Sequence, residues 1–173
     1  MLTVLSPSTP LLFMGEEWAA STPWPFFTSH PEPELAEAVE AGRLAEFARM
    51  GWDPDEVAHP QDPATFARAR LDWSELAEPF HARMLERYRT LIALRRAEPE
   101  LHSPRFAELS GTWDDDARTI ALARGGITIR VNLGTRPWRA GDAEEVLFTT
   151  TDAPPIEDGE LVLPPDSAVV SRR

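Results

Sequence analysis

The stretch Thr9-Pro-Leu-Leu-Phe-Met-Gly-Glu-Glu-Trp18 decides how the rest of the chain is interpreted. Four apolar residues, at positions 11–14, run without interruption into a glycine, two glutamates and a tryptophan. An unbroken apolar run that ends in a turn signal is typical of a strand buried on both faces of a parallel sheet. In an α/β barrel, the residues that follow the carboxyl ends of such strands line the substrate site. We therefore expect this stretch to carry one edge of an active site.

Length, charge and cysteine content limit the class of protein. At 173 residues, the chain is too short for a complete (β/α)8 barrel, which takes about 250 residues. The net charge of −12 argues against a nucleic-acid partner, because binding there requires cations that neutralise phosphates. No apolar run approaches the roughly 18 residues of a membrane span, so we expect no membrane contact. The absence of cysteine excludes thiolate chemistry and favours a cytoplasmic location.

Two long helices are predicted from residue spacing and end signals. Pro31-Glu-Pro33 predicts the start of the first, because proline and acidic residues favour a helix N-terminus. Its apolar residues, which have roughly helical spacing, are Leu35, Val39, Leu44 and Phe47. The second helix is predicted from Pro79 to Ala97, with apolar residues three and four positions apart and with Arg95-Arg96 in the last turn.

Beyond Leu101 the apolar pattern changes to the period of two that is typical of strands. Thr119–Arg124 and Ile127–Asn132 alternate, and the Gly125-Gly126 pair between them predicts a hairpin. Further short strands are predicted at 146–150, 160–163 and 168–170. We therefore predict an α+β chain with two domains. Residues 101–173 would be a small antiparallel β domain, and residues 1–100 the domain before it.

The residues around the predicted strand include candidates for substrate binding but no catalytic pair. Glu16 and Glu17 are adjacent, and neighbouring side chains on a strand point to opposite faces. They therefore cannot act as acid and base on the same bond. An aromatic loop follows, and sugar rings present apolar C–H faces that stack on aromatic planes; the alternative is that the loop packs on its own domain. Its aromatic residues, together with the tryptophan before it, are Trp18, Trp24, Phe26 and Phe27.

No metal or cofactor site is predicted. The four histidines lie more than twenty positions apart, so they lack the spacing of metal ligands. Asp114-Asp115-Asp116 joins two predicted strands and favours a solvated turn over a cation site. His30 lies in a loop beside acidic residues and is kept as a candidate ligand contact.

The opening stretch resembles the eighth barrel strand of the α-amylase superfamily of glycoside hydrolases. The segment from Tyr88 to Leu101 is similar to that superfamily's last barrel helix. Three further features resemble the malto-oligosyltrehalose trehalohydrolase family within it: Pro25-Phe-Phe-Thr-Ser-His30, then Glu34-Leu with Ala38-Val-Glu-Ala-Gly-Arg-Leu-Ala-Glu-Phe47, then Pro60-Gln-Asp-Pro-Ala-Thr-Phe66 with Leu71-Asp-Trp73. The specific resemblance covers residues 5–101.

This resemblance implies that residues 1–100 are the C-terminal end of a (β/α)8 TIM barrel, with its last β/α unit, and that residues 101–173 are a C-terminal antiparallel β-sandwich. It implies hydrolysis of the α-1,4 bond next to the terminal trehalose unit of maltooligosyl trehalose, or action on a related α-glucan. The family's catalytic Asp, Glu and second Asp would lie before Met1, so no residue here is assigned as catalytic and the chain alone is expected to be inactive. The resemblance implies that the substrate-binding residues are Glu16, Glu17, Trp18, Trp24, Phe26, Phe27 and His30.

A barrel strand without neighbours has unpaired edges. We therefore expect residues 1–25 to be rearranged, disordered or covered by another chain that associates through the exposed barrel-strand surface. Two alternatives stay open. Instead of the C-terminal part of a trehalose-releasing hydrolase, the chain would then be a non-catalytic maltooligosaccharide-binding or assembly module, or the C-terminal part of a glucan-branching enzyme.

Overall fold

The structure, a computed structural model, describes residues 1–53, 57–103 and 105–172. The chain forms two compact units. One, which we call the β unit, contains Met1–Phe13 and Leu85–Arg173, and the other, the helical unit, is Met14–Met84. The domain boundary predicted between residues 100 and 101 stays a prediction.

The β unit contains two antiparallel sheets. The larger has five strands in the order β1-β2-β3-β8-β5, and the smaller has three in the order β4-β7-β6. The predicted hairpin is confirmed, with β2 and β3 in register from Thr119↔Asn132 to Arg124↔Ile127 and with Gly125 at φ +55°. The strands are β1 Leu109–Asp114, β2 Thr119–Arg124, β3 Ile127–Asn132, β4 Trp138–Arg139, β5 Glu145–Thr149, β6 Ile156–Glu157, β7 Glu160–Leu163 and β8 Ser167–Arg172.

The central strands of the five-stranded sheet, β3 and β8, are buried on both faces. Successive side chains point to opposite faces, and each face packs against other elements. On one face, Ile127, Ile129 and Val131 of β3 form a core with residues of the flanking helices. On the other face, Val169 of β8 packs with Leu161 and Leu163 of the smaller sheet. Each fully buried aliphatic side chain of this kind contributes roughly 1.5–3 kcal/mol of burial free energy.

The N-terminal helix α1, Leu2–Leu5, belongs to the same core through Val4 and Leu5. Arg95, in the last turn of the helix Pro79–Ala97, donates hydrogen bonds to backbone carbonyl oxygens at the end of α1 and in the segment after it. Its Nη1 donates to the carbonyl oxygens of Val4 at 2.8 Å and Ser6 at 2.5 Å, and its Nη2 donates to that of Ser8 at 3.1 Å.

The predicted buried strand at residues 11–14 is wrong in this structure. Residues 7–13 have no helix or strand, and Leu11 is 87% exposed. A strand needs at least one hydrogen-bonded neighbour, and every strand pairing among the described residues is antiparallel and lies within the β unit. The segment is therefore rearranged, as expected for a barrel strand without its neighbours.

The described residues of the helical unit include the 3-10 helix Glu16–Trp18, helices α2 and α3, a second 3-10 helix and the start of α4, Pro79–Ala97. Helix α2, Pro33–Arg49, confirms the first predicted helix. Helix α3 is Pro63–Arg68, and Asp62 caps it by accepting a 2.8 Å bond from the Ala64 N–H. A 3-10 helix, Trp73–Ala77, precedes α4, Pro79–Ala97, whose bounds are those predicted. Helix α5, Pro99–His102, follows in the β unit. Among the described residues, no helix is both long and apolar enough to cross a membrane.

Candidate functional site: an aromatic cleft in the helical unit

An open cleft of about 490 Å³ lies in the helical unit, and we call it the aromatic cleft. Two of the predicted site residues, Trp24 and Phe26, line it, and each exposes a third or more of its surface. Phe47, from α2, and Trp52, from the segment after it, complete the aromatic wall. The other lining residues are Pro23, Pro25, Val57, Ala58, Pro60 and Arg68.

Ring contacts fix the orientation of these side chains. Phe47 and Trp52 are stacked, with ring centroids 5.1 Å apart and planes 19° from parallel. Trp24 meets Phe27 edge-to-face at 5.4 Å, and Phe27 meets Phe66 in the same way at 5.1 Å. Phe27 therefore supports Trp24 and does not itself line the cleft.

One arginine, Arg68, lines the cleft, and a second, Arg43, contacts one of its rings. The guanidinium carbon of Arg43 lies 4.0 Å from the centroid of the Phe26 ring, which is cation–π geometry. Arg43 is also paired with Glu46 at 2.7 Å, so it supports the Phe26 ring and is not itself a lining residue. Aromatic planes beside a guanidinium donor suit a polyhydroxylated ligand, which has apolar C–H faces and many acceptor oxygens.

Gln61 holds the loop that carries these aromatic residues. Its Nε2 donates to Thr28 Oγ1 at 2.8 Å, and its Oε1 accepts from the His30 backbone N–H at 3.2 Å. The Thr28 N–H donates to the Pro60 carbonyl at 2.9 Å. His30 is thus held through its backbone and is not one of the cleft-lining residues. That it contacts the ligand stays a prediction.

The remaining predicted residues lie in a separate part of the helical unit. Glu16, Glu17 and Trp18 form a 3-10 helix, so the strand geometry assumed for the two glutamates is wrong. Successive side chains on a 3-10 helix are about 120° apart, and the two carboxylates still diverge. Trp18 is 2% exposed and its ring lies 4.9 Å from that of Trp73. That these three residues contact a ligand stays a prediction.

A buried carboxylate, Glu75, was missed by sequence reasoning. It accepts hydrogen bonds from the Ser21 N–H, at 3.2 Å to Oε2, and from the Ser21 hydroxyl. The Ser21 hydroxyl lowers the pKa of Glu75; burial opposes this shift, and the nearby His81 adds to it. His81 also bonds the Trp18 carbonyl oxygen through Nδ1 at 2.8 Å. This network connects the start of the aromatic loop to the 3-10 helix before α4, which is a structural role.

Within the described ranges 1–53, 57–103 and 105–172, no group of three or more His, Asp or Glu side chains has the arrangement of a metal site. The arrangement therefore consists of an open cleft with exposed aromatic rings and one lining arginine, Arg68.

Comparison with known proteins identifies the family. The chain is 51% identical to the malto-oligosyltrehalose trehalohydrolase of Rhizobium sp. (strain M-11), over 99% of this chain and 29% of that protein. It is 50% identical to the enzyme of the same name from Brevibacterium helvolum, over 98% of this chain and 29% of that protein. The chain belongs to the malto-oligosyltrehalose trehalohydrolase family. It spans about 29% of the length of these relatives and corresponds to a C-terminal part of them.

Three further comparisons concern the β domain and the fold. Residues 104–170 match a family model described as a domain of unknown function, DUF3459. The crystal structure of a Salmonella typhimurium protein assigned as an alpha amylase aligns with a TM-score of 0.77 and 29% identity, over 98% of this chain and 29% of that one. Isomaltulose synthase SmuA from Protaminobacter rubrum aligns with a TM-score of 0.52 and 17% identity, over 99% of this chain and 36% of that one, and shows the fold alone. The predicted fold class, an α+β piece with the antiparallel β domain of the α-amylase superfamily, is confirmed.

Proposed function

We propose that the whole protein to which this chain belongs is a glycoside hydrolase that releases trehalose from maltooligosyl trehalose by cleaving the adjoining α-1,4 bond. The observation that carries the proposal is identity of 50–51% over 98–99% of the chain to proteins named malto-oligosyltrehalose trehalohydrolase. The aromatic cleft supports an α-glucan ligand, because its exposed rings match the apolar C–H faces of a sugar and the guanidinium group of Arg68 can donate to sugar oxygens. The cytoplasmic location stays a prediction.

Within this activity, the chain contributes substrate binding. Trp24 and Phe26 stack on glucose units, and Phe27 keeps the Trp24 ring in place. Glu16, Glu17, Trp18 and His30 stay as proposed contacts at the rim of the active-site cleft. Retaining hydrolysis requires two carboxyl groups about 5 Å apart across the scissile bond. No described residues are assigned that role, and we propose that the chain by itself does not hydrolyse the substrate.

The decisive experiment identifies products. The complete protein is incubated with maltotriosyl trehalose, and the products are separated by chromatography. Free trehalose with maltotriose supports the proposal. Lengthened or branched glucans would instead indicate a glucan-branching enzyme, and an unchanged substrate would overturn both hydrolysis and branching.

One observation favours a second candidate, a maltooligosaccharide-binding module. The aromatic cleft is formed entirely by residues of the helical unit, so binding does not need the rest of the protein. Calorimetric titration of the isolated chain with maltoheptaose distinguishes the candidates. Binding without hydrolysis by the complete protein favours the module, whereas binding by the chain together with hydrolysis by the complete protein favours the enzyme.

A further inference from the structure

The β unit contains a second, larger cleft with an open volume of about 990 Å³. It lies between the turn that joins β1 to β2 and the segment 134–139, and we call it the β-unit cleft. None of its lining residues belongs to the helical unit, and none is among the predicted site residues.

The two walls of this cleft are fixed to each other. The Leu133 N–H donates to the Arg118 carbonyl oxygen at 2.9 Å. A side chain at position 134 would overlap the Ala117 carbonyl oxygen, so only glycine allows the close approach seen there. Asn132 is 0% exposed; its Nδ2 donates to the Arg136 carbonyl at 2.9 Å, and its Oδ1 accepts from the Gly134 N–H at 2.9 Å. The cleft is therefore preformed, and a ligand would not have to order it.

The cleft combines an aromatic residue with charged groups of both signs. Trp138 lines the cleft and is half-buried, because it packs on the core formed by the smaller sheet and β8. Arg118 and Arg136 line the cleft together with Asp114 and Asp116, so these four charges cancel. A fifth charged residue, Arg139, is paired with Glu160 at 2.8 Å.

This balance of charge selects the class of ligand. A phosphate or another anion is favoured by an excess of cations, which the β-unit cleft does not have. A neutral sugar instead needs acceptors for its hydroxyl hydrogens, donors for its oxygens, and an apolar plane for its C–H face. Asp116 supplies acceptors, as does the second carboxylate oxygen of Asp114, whose Oδ1 accepts from the Ala117 N–H at 2.8 Å. Arg118 and Arg136 supply the donors, and Trp138 the apolar surface.

We propose that the β-unit cleft is a second carbohydrate-binding site, which holds a neutral α-glucan chain and shares no lining residue with the aromatic cleft. That the sugar is an α-glucan rests on the proposed function, whereas the preference for a neutral sugar rests on the cleft alone. Such a site raises the local concentration of glucan at the protein and takes no part in bond cleavage.

The test measures maltoheptaose binding to the 173-residue chain by NMR, through the indole N–H resonance of Trp138. A Trp24→Ala background weakens binding in the aromatic cleft, so the remaining response reports on the β-unit cleft. The probe variant adds Arg136→Ala and Asp116→Ala, both at exposed positions. The matched control adds Asp115→Ala, a neighbouring exposed aspartate that does not line the cleft.

We expect maltoheptaose to shift the Trp138 resonance in the background and in the control. The probe variant should bind at least roughly tenfold more weakly, because charged hydrogen-bond partners are lost, while the backbone amide spectrum of the β unit stays unchanged. Inorganic phosphate should give no shift. An absent response to maltoheptaose, a response to phosphate instead, or equal affinity of probe and control variants would overturn the proposal. Because the readout is binding and not trehalose release, failure here is distinguishable from failure of the proposed function.

Discussion

Replacing Asn132 should cost the β unit much of its stability, because this amide is fully buried and has several partners. Its Nδ2 donates to the carbonyl oxygens of Arg136 and Leu163 at 2.9 Å and of Pro164 at 3.1 Å, and its Oδ1 accepts from Gly134 at 2.9 Å. Asn132→Ala removes these bonds and leaves buried carbonyls unpaired. At about 1 kcal/mol for each of roughly three net bonds, plus the cost of unpaired groups, we expect a loss of about 3–5 kcal/mol.

The assay is equilibrium unfolding in urea, combined with amide hydrogen exchange of β3 and β8 so that the β unit is followed separately. We expect a lower midpoint at an unchanged slope. The control is Leu133→Ala, next in sequence and 50% exposed, which should change stability by less than about 1 kcal/mol. Asn132→Asp keeps the shape but presents a carboxylate to three carbonyl oxygens, and should be at least as unstable as Asn132→Ala. A loss below about 1 kcal/mol for Asn132→Ala, or native stability of Asn132→Asp, would refute this reasoning.

Three further predictions follow from the structure. In the complete protein, Trp24→Ala should raise KM for maltotriosyl trehalose by roughly tenfold, equivalent to about 1.4 kcal/mol of lost stacking, while Leu35→Ala on the exposed side of α2 should leave KM unchanged; equal KM values would contradict the role of Trp24. The folded-state pKa of Glu75 is lowered below its ordinary value of 4.5. The ionised carboxylate of Glu75 therefore contributes fully to the free energy of unfolding above that value, and this contribution is lost as pH falls through the folded-state pKa. The unfolding temperature of Glu75→Gln should therefore fall less steeply with decreasing pH than that of the native chain. Parallel plots of unfolding temperature against pH would contradict this prediction. Arg95→Ala should remove three charged hydrogen bonds to residues 4–8 and speed hydrogen exchange there, whereas Arg96→Ala should not; similar exchange in both variants would contradict the role of Arg95.

Elements with a clear local signal were predictable from the sequence. Helix α4 has proline at its first position, arginines in its last turn and apolar residues at helical spacing, so its bounds, Pro79–Ala97, follow from its own residues. The hairpin of β2 and β3 follows similarly from two alternating segments and a Gly-Gly turn. In both cases local propensity and tertiary packing favour the same structure.

Features that depend on distant residues were not predictable in this way. The run at residues 11–14 has the composition of a buried strand, yet a strand forms only where a neighbour supplies hydrogen bonds, and Leu11 is exposed. The bond between Glu75 and Ser21 joins residues 54 positions apart. Trp52 lines the aromatic cleft because it stacks on Phe47, and no local signal marks that contact. The β1 strand lies at the sheet edge with mostly exposed residues, so it lacks the alternation that indicates a strand.

The measurement that tests the central claim most directly compares trehalose release from maltotriosyl trehalose by the complete protein and by the 173-residue chain under the same conditions. If this chain supplies substrate binding and no catalytic carboxylates, the complete protein will release trehalose, and the chain will bind the substrate without cleaving it. Trehalose release by the chain alone, or no release by the complete protein, would contradict the account.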